Sequence, residues 1–141
     1  MYEIFEHTAD LGLRVRAASL VDLFADAARG LYSMVVTNLD EVRPVEKRTY
    51  RLEAEERDLL LFDWLNELLY TCETERLLLS EFAVDLNETP DGRLTLAAEC
   101  HGEKIDESRH RLEHEVKAIT YHGLLVEKRD GEWLAEVIVD I

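Results

Sequence analysis

The sequence predicts an α+β fold, a two-layer domain in which a mostly antiparallel sheet of hairpins carries two amphipathic helices on one face. Three observations predict it. Apolar residues recur at three- and four-residue steps over 19–35 and 58–74, the period of a helix with one buried face. Alternation of apolar and polar residues, the period of a half-buried strand, fills much of the remainder. Asp91-Gly92 and Asp130-Gly131 separate such alternating runs, and Asp-Gly in that setting is among the strongest short-range hairpin signals. G-x-G-x-x-G and P-loop patterns are absent, so no Rossmann-type core is expected.

Residues 2–7 and 12–17 read as two short strands, Leu13 and Val15 alternating with Arg14 and Arg16 in the second; H-T-A-D-L-G connects them. Leu20, Leu23, Phe24, Ala27, Ala28, Leu31 and Met34 line one face of the first helix. Ser19, followed three residues later by Asp22, resembles a capping pair at its start. Pro44 punctuates a loop, and Lys47–Ala54 reads as strand. The second helix is expected to begin at Asp58 as N-cap and to run to Thr74, burying Leu61, Trp64, Leu65, Leu68 and Leu69.

Phe82, Val84 and Leu86, then Leu94, Leu96, Ala98 and Cys100, alternate on either side of the first Asp-Gly turn. Leu124–Glu127 and Trp133–Val139 flank the second. The charged stretch between the hairpins, H-G-E-K-I-D-E-S-R-H-R-L-E-H-E (101–115), is expected to be a long exposed loop. Periodicity leaves Val116–Tyr121 open between strand and a short helical turn.

With 141 residues, no repeat and no Pro/Gly-rich linker, the chain 1–141 is read as one domain. The formal net charge is −15, a field that repels nucleic acid, because duplex binding depends on Lys and Arg neutralising phosphates. Lys47, Arg48 and Arg51 do cluster, but Glu46, Glu53, Glu55 and Glu56 surround them, and no direct nucleic-acid binding is expected. The longest apolar run, Leu59–Phe62, is far below the ~20 residues that span a bilayer, and the N-terminus lacks a secretory pattern. Cys72 and Cys100 form no C-x-x-C pair, which favours a reducing compartment; cytoplasmic is the expectation.

Nucleophilic catalysis has no support. There is no G-x-S-x-G elbow, and both cysteines fall on apolar faces, the setting of an inert thiol. His110 and His114 stand four apart, but Arg111 occupies the place of the glutamate in H-E-x-x-H, so solvated histidines are expected there rather than zinc. Asp58, Asp63, Glu67 and Glu73 belong to the solvated side of the second helix, Asp63 and Asn66 being the two to inspect for partner contacts.

His7 and Asp10 admit two readings, a structural turn in which Asp10 satisfies backbone N–H groups, or part of a site. The other end of the chain bears on the choice. An apolar strand ending in Asp140 and Ile141 places a side-chain and a main-chain carboxylate together, which is unfavourable unless a positive charge neutralises them. With Asp10 close by, three carboxylates would converge, a ligand set that selects Ca²⁺ or Mg²⁺ over zinc; otherwise the terminus frays into solvent.

Four blocks in order, F-E-H-T-A-D-L-G-L (Phe5–Leu13), D-W-L-N-E-L-L-Y (Asp63–Tyr70), G-E-x-x-D-x-x-R-H (Gly102–His110) with E-V-K-A-I-T-Y-H (Glu115–His122), and V-I-V-D-I (Val137–Ile141), resemble the archease family across essentially the whole chain. The resemblance implies a small non-catalytic accessory protein of an RtcB-type RNA ligase. That ligase seals tRNA exon halves using GTP and a divalent metal, through a ligase–GMP intermediate. The accessory protein is implied to promote guanylylation and repeated turnover, with no catalytic residue of its own. The resemblance also implies a metal site at Asp10, Asp140 and Ile141, holding Ca²⁺, with Mg²⁺ or Mn²⁺ as alternatives. His7, Lys117 and His122 are then candidate partner contacts.

Two rival readings stand beside this one. A chaperone or specificity modulator of a tRNA cytosine methyltransferase would be separated from it by copurification. A metal-dependent hydrolase lacks an obvious general base beyond His7, and metal-stimulated turnover by the protein alone would revive it.

Overall fold

The computed structural model describes residues 1–7 and 10–141. Eight strands and two long helices follow one another as β1 (Tyr2–His7), β2 (Asp10–Ala17), α1 (Leu20–Val35), β3 (Glu46–Ala54), α2 (Arg57–Glu75), β4 (Leu77–Glu88), β5 (Leu94–Lys104), β6 (Ala118–Ile119), β7 (Leu125–Arg129) and β8 (Glu132–Asp140). The α+β class with antiparallel pairing and two helices is as the sequence predicts. All pairings among these strands are antiparallel, and they form two sheets. One runs β1-β2-β8-β6, with β7 also on β8; the other runs β3-β5-β4. Both helices touch strands of both sheets, so a single apolar cluster joins α1 and α2 to both.

Each helix is fixed by a few identifiable interactions. The Ser19 hydroxyl accepts the Asp22 N–H at 3.1 Å, which caps α1 as the sequence suggests. Gly30 lets α1 approach β2 closely, since a Cβ there would lie 2.4 Å from a Leu13 methyl. The start of α2 differs from expectation. Glu56 is its N-cap residue, extended and without a side-chain bond, and the Leu60 N–H already donates to the Glu56 carbonyl at 3.0 Å. Asp58 therefore sits in the first turn, where its charge favours the positive helix end.

Two buried polar bonds lock the helix pair. The fully buried Trp64 donates its indole N–H to the Phe24 carbonyl at 3.0 Å. Tyr32 donates its hydroxyl to the Leu68 carbonyl at 2.9 Å. Asn66 bonds locally, donating to the Phe62 carbonyl at 3.1 Å, while Asp63 is exposed.

The expected exposed loop 101–115 holds in part, its later portion being irregular and mostly exposed. The strand continues to Lys104, and the following segment is strapped onto the end of α1. Asn38, buried, donates to the Arg109 carbonyl at 2.9 Å and accepts the Arg111 N–H at 2.8 Å. The Thr37, Glu113 and His114 N–H groups donate to the Arg111, Val35 and Met34 carbonyls, and Val36 bridges Leu112. Within Val116–Tyr121 only Ala118–Ile119 is strand, forming β6, and no helical turn is present there.

No helix among the described residues is long and apolar enough to cross a membrane. Lys47 of the β3 basic cluster pairs with Glu99 at 3.6 Å, and Arg48 with Glu75 at 2.6 Å.

Candidate functional site

In the first sheet, register assembles the site. His7 on β1 stands opposite Asp10 on β2, and Asp10 stands opposite Asp140 on β8. Residues directly opposed on antiparallel strands point to the same face with Cβ atoms about 5 Å apart, so His7, Asp10 and Asp140 form a row across three adjacent strands. Alternation decides which face. Leu11, Leu13 and Val15 with Val139, Val137 and Ala135 fill the core beneath the sheet, which turns Asp10 and Asp140 outward. On that outer face Phe5 lies over Gly12, where a Cβ would come within 2.1 Å of its ring, and Arg14 stacks on the same ring at 4.6 Å.

The 113–122 segment reaches the row from the other side. Ala118 of β6 is the cross-strand partner of Asp140, and the Lys117 N–H donates to the Asp140 carbonyl at 2.8 Å. The Lys117 and His122 side chains belong to exposed residues. The His122 ring comes to 5.4 Å from that of His7, centroid to centroid, and the neighbouring Tyr121 ring stacks on Phe62 of α2 at 3.9 Å. The structure thus brings together His7, Asp10, Asp140 and His122, with Lys117 and Ile141 adjacent in sequence to the paired backbone.

The charges in this row are poorly compensated. Asp10 has one ionic neighbour among the described residues, His7 Nδ1 at 3.9 Å, and Asp140 has none. That separation is too long for a hydrogen bond, and His7 Nδ1 is buried without a partner among the described residues. No backbone N–H among the described residues donates to the Asp10 carboxylate, although Thr8 and Ala9, within the expected turn, lie outside the described residues. Opposed like charges destabilise a strand pair, and an unpartnered buried nitrogen costs about 1–3 kcal/mol. Both deficits would be relieved by a cation.

The chemistry of the donors also fits a hard divalent ion, with two side-chain carboxylates and the Ile141 carboxylate next in sequence. No three His, Cys, Asp or Glu side chains among the described residues gather into a metal cluster by themselves. A ligand set here would need a further donor, for which the sequence offers Ile141.

Comparison with known proteins places the chain in a family. The model of the Archease protein family (MTH1598/TM1083) matches residues 2–141. The chain belongs to the archease family. A protein archease of Methanopyrus kandleri is 41% identical over 142 residues, covering 99% of this chain and 99% of the relative. That of Pyrococcus abyssi is 39% identical over 141 residues, covering 99% and 98%. The solution structure of Methanobacterium thermoautotrophicum protein 1598 superposes with a TM-score of 0.88 at 36% identity, covering 99% of this chain and 98% of that one. The crystal structure of a Thermotoga maritima archease, described as a possible chaperone, shares the fold, with a TM-score of 0.60 at 20% identity and coverage of 100% and 98%.

Elsewhere in this archease-family chain, one predicted feature is corrected. His110 is buried, not solvated. Its Nδ1 accepts the Asp106 N–H at 3.0 Å, and its Nε2 lies 2.8 Å from Glu103. Arg109 adds a cationic contact to that carboxylate. His114 belongs to no helix and sits on the strap, partly exposed. Both cysteines are buried, burial pushing the Cys72 thiol up to about 11 and the Cys100 thiol up to about 12. Such thiols stay protonated and inert at neutral pH.

The Glu103 cluster makes the strap acid-sensitive. Burial raises the Glu103 carboxyl, but the Arg43 N–H, His110 and Arg109 together outweigh it and hold it below its ordinary value. A carboxyl depressed on folding contributes stability that is full above its unfolded pKa, 4.5, and is lost as pH falls through the lower folded value. Glu103→Gln is expected to lose about 2 kcal/mol at pH 7, the cost of stripping a carboxylate from its buried donors. Urea unfolding at pH 7 and pH 3 checks this, and the gap between wild type and variant should shrink at the lower pH.

Proposed function

We propose that this chain is a non-catalytic activator of an RtcB-type RNA ligase in tRNA splicing, acting in the cytoplasm to promote ligase guanylylation and repeated turnover. The observation that carries the reading is the opposition of Asp10 and Asp140 on adjacent strands with no Lys or Arg partner among the described residues. Asp10, Asp140 and the Ile141 carboxylate would hold a divalent cation, Ca²⁺ before Mg²⁺ or Mn²⁺, because all-oxygen anionic donors suit hard ions. The cation, when bound, would neutralise the row and supply a positively charged point at the protein surface.

The chain's own residues present that point. Asp10 and Asp140 are held by a continuous β2–β8 ladder, so their carboxylates face outward from a rigid platform rather than from a loop. His7, Lys117 and His122 surround them as contacts for the ligase. The net charge of −15 steers the chain to the basic RNA-binding surface such a ligase must carry, and complementary fields raise the rate of encounter.

The test is RNA ligation by a limiting amount of the matching ligase, with and without this protein. Turnover is expected to rise from about one product per ligase to many. No rise, together with copurification of a tRNA cytosine methyltransferase, would replace this reading with a chaperone or specificity role for that enzyme.

A further inference from the structure

A second surface lies behind the strap. A groove of about 580 Å³ runs between the C-terminal end of α2 and the 105–116 segment, within the ~300–1,000 Å³ range of ligand clefts. Leu69, Ile105, Leu112 and Val116 supply its apolar lining, and Leu112 is 39% exposed. Its rim is acidic on both walls, with Glu73 on α2 facing Glu107, Glu113 and Glu115 on the strap, against the single guanidinium of Arg76.

The rim carboxylates, unlike several elsewhere on the surface, are not neutralised by Lys or Arg among the described residues. Glu3, Glu46, Glu53, Glu75, Glu99 and Glu136 each have a Lys or Arg within 4.0 Å. Among the described residues Glu73, Glu107 and Glu115 have no such cation, and Glu113 has only His114, at 3.8 Å. An apolar floor between unneutralised carboxylates is complementary to an apolar side chain flanked by basic ones.

We infer that this groove docks a segment of a protein partner in which apolar residues are bracketed by Lys or Arg. On the functional reading above, on which this inference rests, the partner is the RNA ligase. The strap that forms one wall continues into β6 and bonds through the Lys117 N–H to the Asp140 carbonyl. A segment seated in the groove would therefore hold the partner against the same edge that presents Asp10 and Asp140. The groove anchors, and the carboxylate row acts.

The experiment measures binding of the full-length ligase to the intact protein by titration calorimetry, alongside ligation turnover. Glu113→Lys combined with Glu115→Lys tests the strap wall, and Glu73→Lys tests the α2 wall. Glu81→Lys with Asp85→Lys, both exposed on β4, matches the charge change of the strap pair at a distant place. Each groove variant is expected to weaken binding at least tenfold while the β4 pair weakens it less than threefold. Saturating groove variant should restore multiple turnover, whereas saturating Asp140→Ala should not. Wild-type activation with unchanged binding of the groove variants overturns the groove and leaves the activator reading standing. Equal weakening by the β4 pair also overturns it, because the effect is then net charge alone. Absence of binding and activation by the wild-type protein overturns both.

Discussion

Asp140→Ala is expected to leave ligation at about one product per ligase under conditions where the unaltered chain supports many. The reason is positional. Asp140 is the cross-strand partner of Asp10 and is followed directly by Ile141, so its removal takes the middle member from the proposed ligand set. Stability should move the other way, since alanine relieves a like-charge opposition worth roughly 0.2–1 kcal/mol. The unliganded variant should therefore unfold at the same temperature as wild type or slightly above it. Excess Ca²⁺ separates the two proteins. At about one hundred times its Kd the ion stabilises a binding-competent chain by about 2.7 kcal/mol, visible as a rise in Tm that EDTA reverses. The variant should show no rise. Full activation by Asp140→Ala would remove the carboxylate row from the mechanism while leaving the ligase as partner.

Gly102→Ala is expected to be the most damaging single methyl in the molecule, costing about 3 kcal/mol or more. Gly102 sits on β5 opposite Leu79, where the β4 register shifts between Leu79 and Glu81. A Cβ at Gly102 would stand 1.8 Å from the Leu78 carbonyl oxygen and 2.7 Å from the Leu79 Cα. Those are backbone atoms, so no rotamer change relieves the clash. The bulge or the strand must move, and the Val45 N–H bond to the Gly102 carbonyl moves with it. Thermal unfolding should show Tm lowered by roughly 10 °C. A wild-type melting curve would show that the bulge yields more cheaply than its geometry indicates.

Some elements were legible because their signals are local. The α1 cap needs only Ser19 and the N–H of Asp22 three residues on. The two Asp-Gly turns connect β4 to β5 and β7 to β8 where the alternation changes direction; Gly92, Gly131 and Asp130 all take positive φ there. The start of α2 differs because Asp58 is a better capping type than Glu56, yet the chain enters the helix two residues earlier through its backbone alone. The stretch 101–115 was misread in part, for a different reason. Its polarity is that of a loop, but the partner that ties down its backbone, Asn38, is more than seventy residues away in sequence. His110 likewise looked solvated until Glu103 and Arg109 were brought around it. Gly102 gave no sequence signal at all, because nothing local marks where a neighbouring strand bulges.

By itself the sequence determined the helix faces, the strand alternation, the inert cysteines, the acidic character and the residue types available for a hard cation. These depend on periodicity and composition, which are properties of the chain before it folds. Tertiary structure decided the division into two sheets, the strap over α1, the acidic groove beside α2 and the placing of His7, Asp10 and Asp140 in one row. Each of these is a matter of register between strands or segments distant in sequence. A shift of one residue in the β2–β8 ladder would turn the carboxylates out of alignment. That register is enforced by the apolar residues alternating with them, Leu11 and Leu13 beside Val139 and Val137, which can be buried in only one phase. The core thereby sets the geometry of the charged site that lies on its other face.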